Sequence, residues 1–142
     1  DTSGYAPPEI FREVVSHAGL ILFDLKIIDE QKHELYTSTG NELIMDNLKY
    51  LAKSRIPYRI RIPLVENVTA SDENIRAIAK LLKDKGKVNI DLLSYHDLGK
   101  SKAGRNGSIQ NRNLELKAPS PGRLKEIRSY LESFNYIVST GG

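Results

Sequence analysis

The chain has 142 residues, 39% hydrophobic and 27% charged, enough for one domain with a core. Its net charge of +3 is spread over interleaved acids and bases without aromatic clustering, which argues against nucleic-acid binding. It has no cysteine, which excludes disulfides, thiolate catalysis and thiolate-held metals or clusters within these residues; no apolar run approaches the ~20 residues of a membrane span and no signal peptide is visible, so the expected location is cytoplasmic.

Asp1 to Gly4 reads as a strand-to-loop junction that begins without Met, as in a piece of a longer protein. Pro7-Pro8-Glu9 opens a helix whose apolar stripe is Ile10, Phe11, Val14, Val15 and Ala18, and Gly19 ends it. Leu20 to Lys26 is a continuous apolar run closed by an acid and a base, as in a strand buried on both faces. Asp29 caps a short helix over 30–36, and Asn41 caps another that carries Leu43, Ile44, Asn47, Leu48, Leu51 and Ala52. Pro57 breaks into a strictly alternating strand, with Tyr58, Ile60 and Ile62 on one face and Arg59 and Arg61 on the other. Ser71-Asp72-Glu73 starts a helix with Ile75, Ile78, Ala79 and Leu82 inward, closed by Gly86. A third strand covers 88–93 and leads to Ser94-Tyr95-His96. Residues 97–118 have no apolar period and form a long basic loop, a length usual for binding loops and lids. Ser120-Pro121 caps a final helix, and Tyr136-Ile137-Val138 is a further strand or an extended tail.

Helix and strand therefore alternate over a single α/β domain, 1–142. Lys26, Arg61 and His96 recur at about 35 residues, the length of one βα unit. Three or four such units make a small open parallel sheet or part of a larger barrel, because a closed eight-stranded barrel needs ~250 residues. In this architecture ligands bind at the C-terminal strand ends. Three strands bring Asp24 and Lys26, Arg59 and Arg61, and Ser94 and His96 towards that edge. The set suits a small anionic or zwitterionic ligand: Lys and Arg for a carboxylate or phosphate, Asp for an ammonium or hydroxyl pair, His for a hydrogen bond. Arg59 is the weakest member, being further from the strand end. His17 and His33 have no metal-site spacing and read as surface histidines on helices. No nucleophile elbow and no phosphate-binding glycine fingerprint is present.

A longer series of motifs is specific in combination. It runs Asp1-Thr2-Ser3-Gly4-Tyr5, Phe23-Asp24-Leu25-Lys26, Lys32-His33-Glu34-Leu35-Tyr36, then Ser38 to Ile44, Arg61-Ile62-Pro63-Leu64-Val65, Asp72 to Ala79, and Leu92 to Lys100. In this order they resemble the C-terminal half of the radical SAM activating enzymes of glycyl radical enzymes, typified by the pyruvate formate-lyase activating enzyme family. The resemblance covers nearly the whole chain. It implies part of a (β/α)6 partial barrel of the TIM type: the tail of strand three and strands four to six. It implies S-adenosylmethionine and a 4Fe-4S cluster as cofactors of the parent protein, whose radical takes a hydrogen from a glycine of the partner enzyme, and an electron donor. By position, Asp1, Asp24, Lys26, Arg61 and His96 resemble the S-adenosylmethionine lining, and Asp1, Thr2 and Asp24 a site for a monovalent cation. The family's Cys-x3-Cys-x2-Cys motif is not in this chain, so the fragment holds no cluster and no catalytic residue, and is expected to be inactive alone. Glu66-Asn67 stands where the family has Pro-Gly. A half barrel also exposes a sheet edge that invites self-association.

Two other readings follow from the residues. Lys26 could be the amine nucleophile of a Schiff-base aldolase-like barrel. The basic loop could instead make the chain a non-catalytic interaction domain.

Overall fold

The computed structural model describes residues 1–95 and 116–141. Its elements are α1 (Pro8–Ser16), β1 (Ile21–Asp24), α2 (Glu30–Thr37), α3 (Glu42–Lys53), β2 (Tyr58–Leu64), α4 (Asp72–Leu82), β3 (Asn89–Ser94), α5 (Pro121–Glu132) and β4 (Ile137–Thr140). The four strands form one parallel sheet in the order β1-β2-β3-β4. Thr2 adds a parallel bridge to Phe23, with Thr2 N–H donating to Leu22 O at 2.9 Å and Asp24 N–H to Thr2 O at 2.8 Å. The tail of a strand before β1 is thus present, as the resemblance implies. One strand more than the three it gives is also present, because 137–140 pairs with β3 and is no loose tail.

Period-two burial decides the layering. Ile21 and Phe23, then Ile60, Ile62 and Leu64, then Ile90 and Leu92, then Val138 are buried in one cluster with Phe11 and Val15 of α1, Leu48 and Leu51 of α3, Ile78 and Leu82 of α4, and Ile127 and Leu131 of α5. Phe11 meets Phe23 edge-on, with ring centroids 6.2 Å apart. Each such fully buried side chain contributes roughly 1.5–3 kcal/mol. The alternate residues Leu22 and Asp24, Arg59 and Arg61, Asp91 and Leu93, and Ser139 are on the opposite face, which is only half-buried or exposed. The expectation that β1 is buried on both faces is therefore wrong. Helices cover one face, and Leu20, at the strand's foot, is half exposed.

Helix ends follow the sequence signals in part. Asp29 accepts from Lys32 N–H, Ser71 from Asn74 N–H and Ser120 from Arg123 N–H, three side-chain caps. Asn41 stands at the N-cap of α3 but does not cap it; its amide donates to Ile28 O at 2.8 Å. Gly19 and Gly86 lie beyond the last helical residues, Ser16 and Leu82. Among the described residues no helix is long and apolar enough to cross a membrane.

Candidate functional site

Parallel register puts Asp24, Arg61, Asp91 and Ser139 in one row across the open face of the sheet. Arg61 donates from Nε to Asp24 Oδ1 at 2.7 Å and from Nη1 to Asp1 Oδ2 at 2.9 Å. Arg59 donates from Nε to Asp91 Oδ2 at 2.8 Å, and its Nη2 and the Ser139 hydroxyl meet Asp91 Oδ1. The bonds from Arg59 hold the Asp91 carboxyl below the ordinary carboxylate range, against the opposing effect of burial. Acids and bases thus alternate along the face, each beside the other sign. With side chains about a fifth exposed, the Arg61–Asp24 pair is shielded better than a surface ion pair.

Lys26 stands two residues past Asp24. Burial lowers its pKa, and the charge of Asp24 partly opposes this. The backbone that carries it is held by α4. Asn74 Nδ2 donates to Lys26 O at 2.7 Å and to Thr69 O at 2.9 Å, and Asn74 Oδ1 accepts from Ile28 N–H at 3.0 Å. One buried amide therefore ties the exits of β1 and β2 together. Asp24 and Lys26 open on a cavity of about 480 Å³ that Ser3, Tyr5, His33 and Thr37 also line.

Of the residues singled out in the sequence, Asp1, Asp24 and Arg61 are brought into direct contact, Thr2 bridges to the same strand, and Lys26 adjoins Asp24. His96 and positions 97–115 of the long loop lie outside the described residues. Ser94 does not join the polar face. It pairs with Leu64, which is on the helix side, and the third strand's contribution is Asp91. Lys26 and Arg61, though 35 residues apart, are not in one row of the sheet, because Arg61 pairs with Asp24. Asp91 is detectable as the acid alternating with Ile90 and Leu92. Asn74 carries no such signal, since it reads as one more residue of α4. His33 is buried, 4% exposed, which corrects the reading of it as a surface histidine; His17 is exposed as expected.

No protein-family model matches the chain. It is 37% identical over 144 residues to the trans-4-hydroxy-L-proline dehydratase activating enzyme of Clostridioides difficile, covering 100% of this chain and 47% of that protein. A solved domain of pyruvate-formate lyase-activating enzyme from Bacteroides vulgatus ATCC 8482 is similar with a TM-score of 0.79 at 29% identity, over 99% of this chain and 78% of that one. The chain belongs to the glycyl-radical-enzyme activating enzymes. It spans about half or less of the length of the curated relatives it matches. A radical SAM methyltransferase from Sphaerobacter thermophilus shares the fold, with a TM-score of 0.67 at 13% identity over 99% of this chain and 38% of that one. The parallel sheet of this activating-enzyme chain thus shares its fold with part of that larger protein.

The donor set decides which cofactors fit. A lysine, an arginine and two carboxylates suit a zwitterionic ligand with hydroxyl groups, as S-adenosylmethionine is. An iron–sulfur cluster finds no thiolate in these 142 residues, so this chain contributes none of its cysteine ligands. For a monovalent cation, Arg61 already takes one oxygen each of Asp1 and Asp24, while the Thr2 hydroxyl accepts from Gly4 N–H at 3.0 Å.

Proposed function

We propose that this chain is the S-adenosylmethionine-facing C-terminal half of an enzyme that generates a glycyl radical on a partner such as a pyruvate formate-lyase. The observation that carries this reading is the Asp1–Arg61–Asp24 constellation beside Lys26, where β1 ends in the parallel sheet, on the motifs that resemble the activating enzymes. When bound, S-adenosylmethionine and a reduced 4Fe-4S cluster supply the radical chemistry, with an electron donor. The residues of this chain bind and orient. Lys26, in its charged form, takes a carboxylate. Asp24 holds Lys26 charged and Arg61 in place, and His96 completes the lining. A cation at Asp1, Thr2 and Asp24 requires Arg61 to yield one of its carboxylates. The chain alone, lacking cluster ligands, binds weakly and does not turn over.

Burial of Lys26 is also what an amine nucleophile needs, but Asp24 favours the charged, non-nucleophilic form. Millimolar titration of the chain with S-adenosylmethionine, followed by NMR, tests the proposal. Saturable shifts at Asp24, Lys26 and Arg61, lost in Lys26→Ala, are expected. An unperturbed spectrum overturns the assignment, and borohydride trapping of a ketone on Lys26 would replace it with the aldolase reading.

A further inference from the structure

His33 sits on α2, nine-tenths buried and more, against the cavity that Asp24 and Lys26 line. Its Nδ1 lies 2.8 Å from the carbonyl oxygen of Thr39. A carbonyl only accepts, so Nδ1 must carry the proton. The Thr37 hydroxyl, 3.0 Å from Nδ1, donates to His33 O at 2.7 Å and so turns a lone pair to the ring. Both neighbours fix the same tautomer. In the neutral ring Nε2 is then an unprotonated acceptor. Nε2 has no hydrogen-bond partner among the described residues, yet no side-chain nitrogen or oxygen buried among them is left without one. Both statements hold together when Nε2 keeps some accessible surface, and the open space that His33 lines is this cavity.

The two threonines do more than fill space. They hold the ring from one side and leave the other nitrogen to whatever enters, the arrangement by which proteins aim a histidine acceptor. The remaining polar groups of the cavity are of complementary kinds. Lys26 carries an ammonium, Asp24 is engaged by Arg61 through Oδ1, and Ser3 and Tyr5 also line the space. An acceptor nitrogen among them selects a ligand that carries a hydroxyl or amine donor.

We propose that His33 is a binding residue of this cavity, its Nε2 accepting a hydrogen bond from a hydroxyl or amine of the adenosyl ligand. The proposal rests on the S-adenosylmethionine reading of the site. The test is a long-range 15N–1H spectrum of the histidine-labelled chain, with and without millimolar S-adenosylmethionine, on wild type and His33→Asn. Asn places an amide donor where Nδ1–H was, keeping the bond to Thr39 O, and removes the Nε2 acceptor. The expected results are an Nδ1–H tautomer, an upfield move of Nε2 on saturation, and binding at least several-fold weaker in His33→Asn with an unchanged melting temperature. An Nε2–H tautomer, a stationary Nε2 at saturation, or wild-type affinity in His33→Asn overturns the proposal and leaves the site reading standing. If the wild type shows no saturable shifts anywhere, the site reading falls, and this proposal with it.

Discussion

At the scale of single residues, the open face sets stability against binding. Burial disfavours the charged form of Lys26, so its folded pKa lies below the ordinary 10.5. A lysine of that kind costs stability wherever it is charged, and the cost fades as pH rises from the lowered pKa towards 10.5. Lys26→Met should therefore raise unfolding free energy at pH 7 by about 1 kcal/mol, while abolishing S-adenosylmethionine binding. Urea unfolding beside the NMR titration checks both, and a less stable variant contradicts the first. Asp91 has the opposite sign. Its folded pKa is depressed below 3.8 by Arg59, so the stability it supplies is complete above that value and is lost as pH falls through the folded pKa. Asp91→Asn should cost about 1 kcal/mol at pH 7. The gap to wild type should close on acidification below 3.8, read from unfolding midpoints across the pH range.

At the scale of elements, the junctions around β1 hold the site. Gly4 has φ +73°, and a Cβ there would stand 2.4 Å from Cζ of Phe23, a fully buried ring with no room to retreat. Backbone strain and overpacking add, so Gly4→Ala should destabilise by about 3 kcal/mol, measured by chemical denaturation. Asn74→Ala leaves the Lys26 and Thr69 carbonyls and the Ile28 amide without their partner, at a cost of about 2 kcal/mol. It should also weaken S-adenosylmethionine binding although Asn74 does not line the cavity that Asp24 and Lys26 share. The sequence disclosed elements whose cause is periodic. Arg59 and Arg61 against Ile60 and Ile62 marked a one-sided strand, and Ser71 and Ser120 marked helix starts, because burial and capping act over a few neighbouring residues. It did not disclose Asn41, Asn74 or His33 in their actual roles. Asn41 bonds Ile28 O across thirteen residues and Asn74 bonds Lys26 O across 48, and contacts at such separations leave no local pattern. The same limit misassigned the third strand. Ser94 ends that strand, but register with Arg61 belongs to Asp91.

At the scale of the whole molecule, helices cover one face of the sheet, and the other is an ion-paired surface that a complete barrel would enclose. Beside β1, among the described residues, the sheet continues through the one bridge at Thr2, and Tyr5 and Leu20 there are about half exposed. Beyond that bridge the pairing groups of the sheet have no further strand among the described residues, and an uncovered parallel edge is a template for another copy. The curated relatives are at least about twice as long as the part matched here. We infer that in a protein of that length additional strands occupy this edge, and that without them the chain associates with itself through it. Light scattering after size exclusion should give a mass that rises with concentration for this chain. Leu20→Lys, which sets a charge beside the edge without touching the buried cluster, should hold it at the monomer mass. Extending the chain by the upstream residues of its own gene should do the same while keeping Leu20 unchanged. A mass that stays monomeric at high concentration rejects edge association. Association that persists in the extended protein assigns it to another surface, of which the exposed Ile137 on β4 is the first to test by Ile137→Lys.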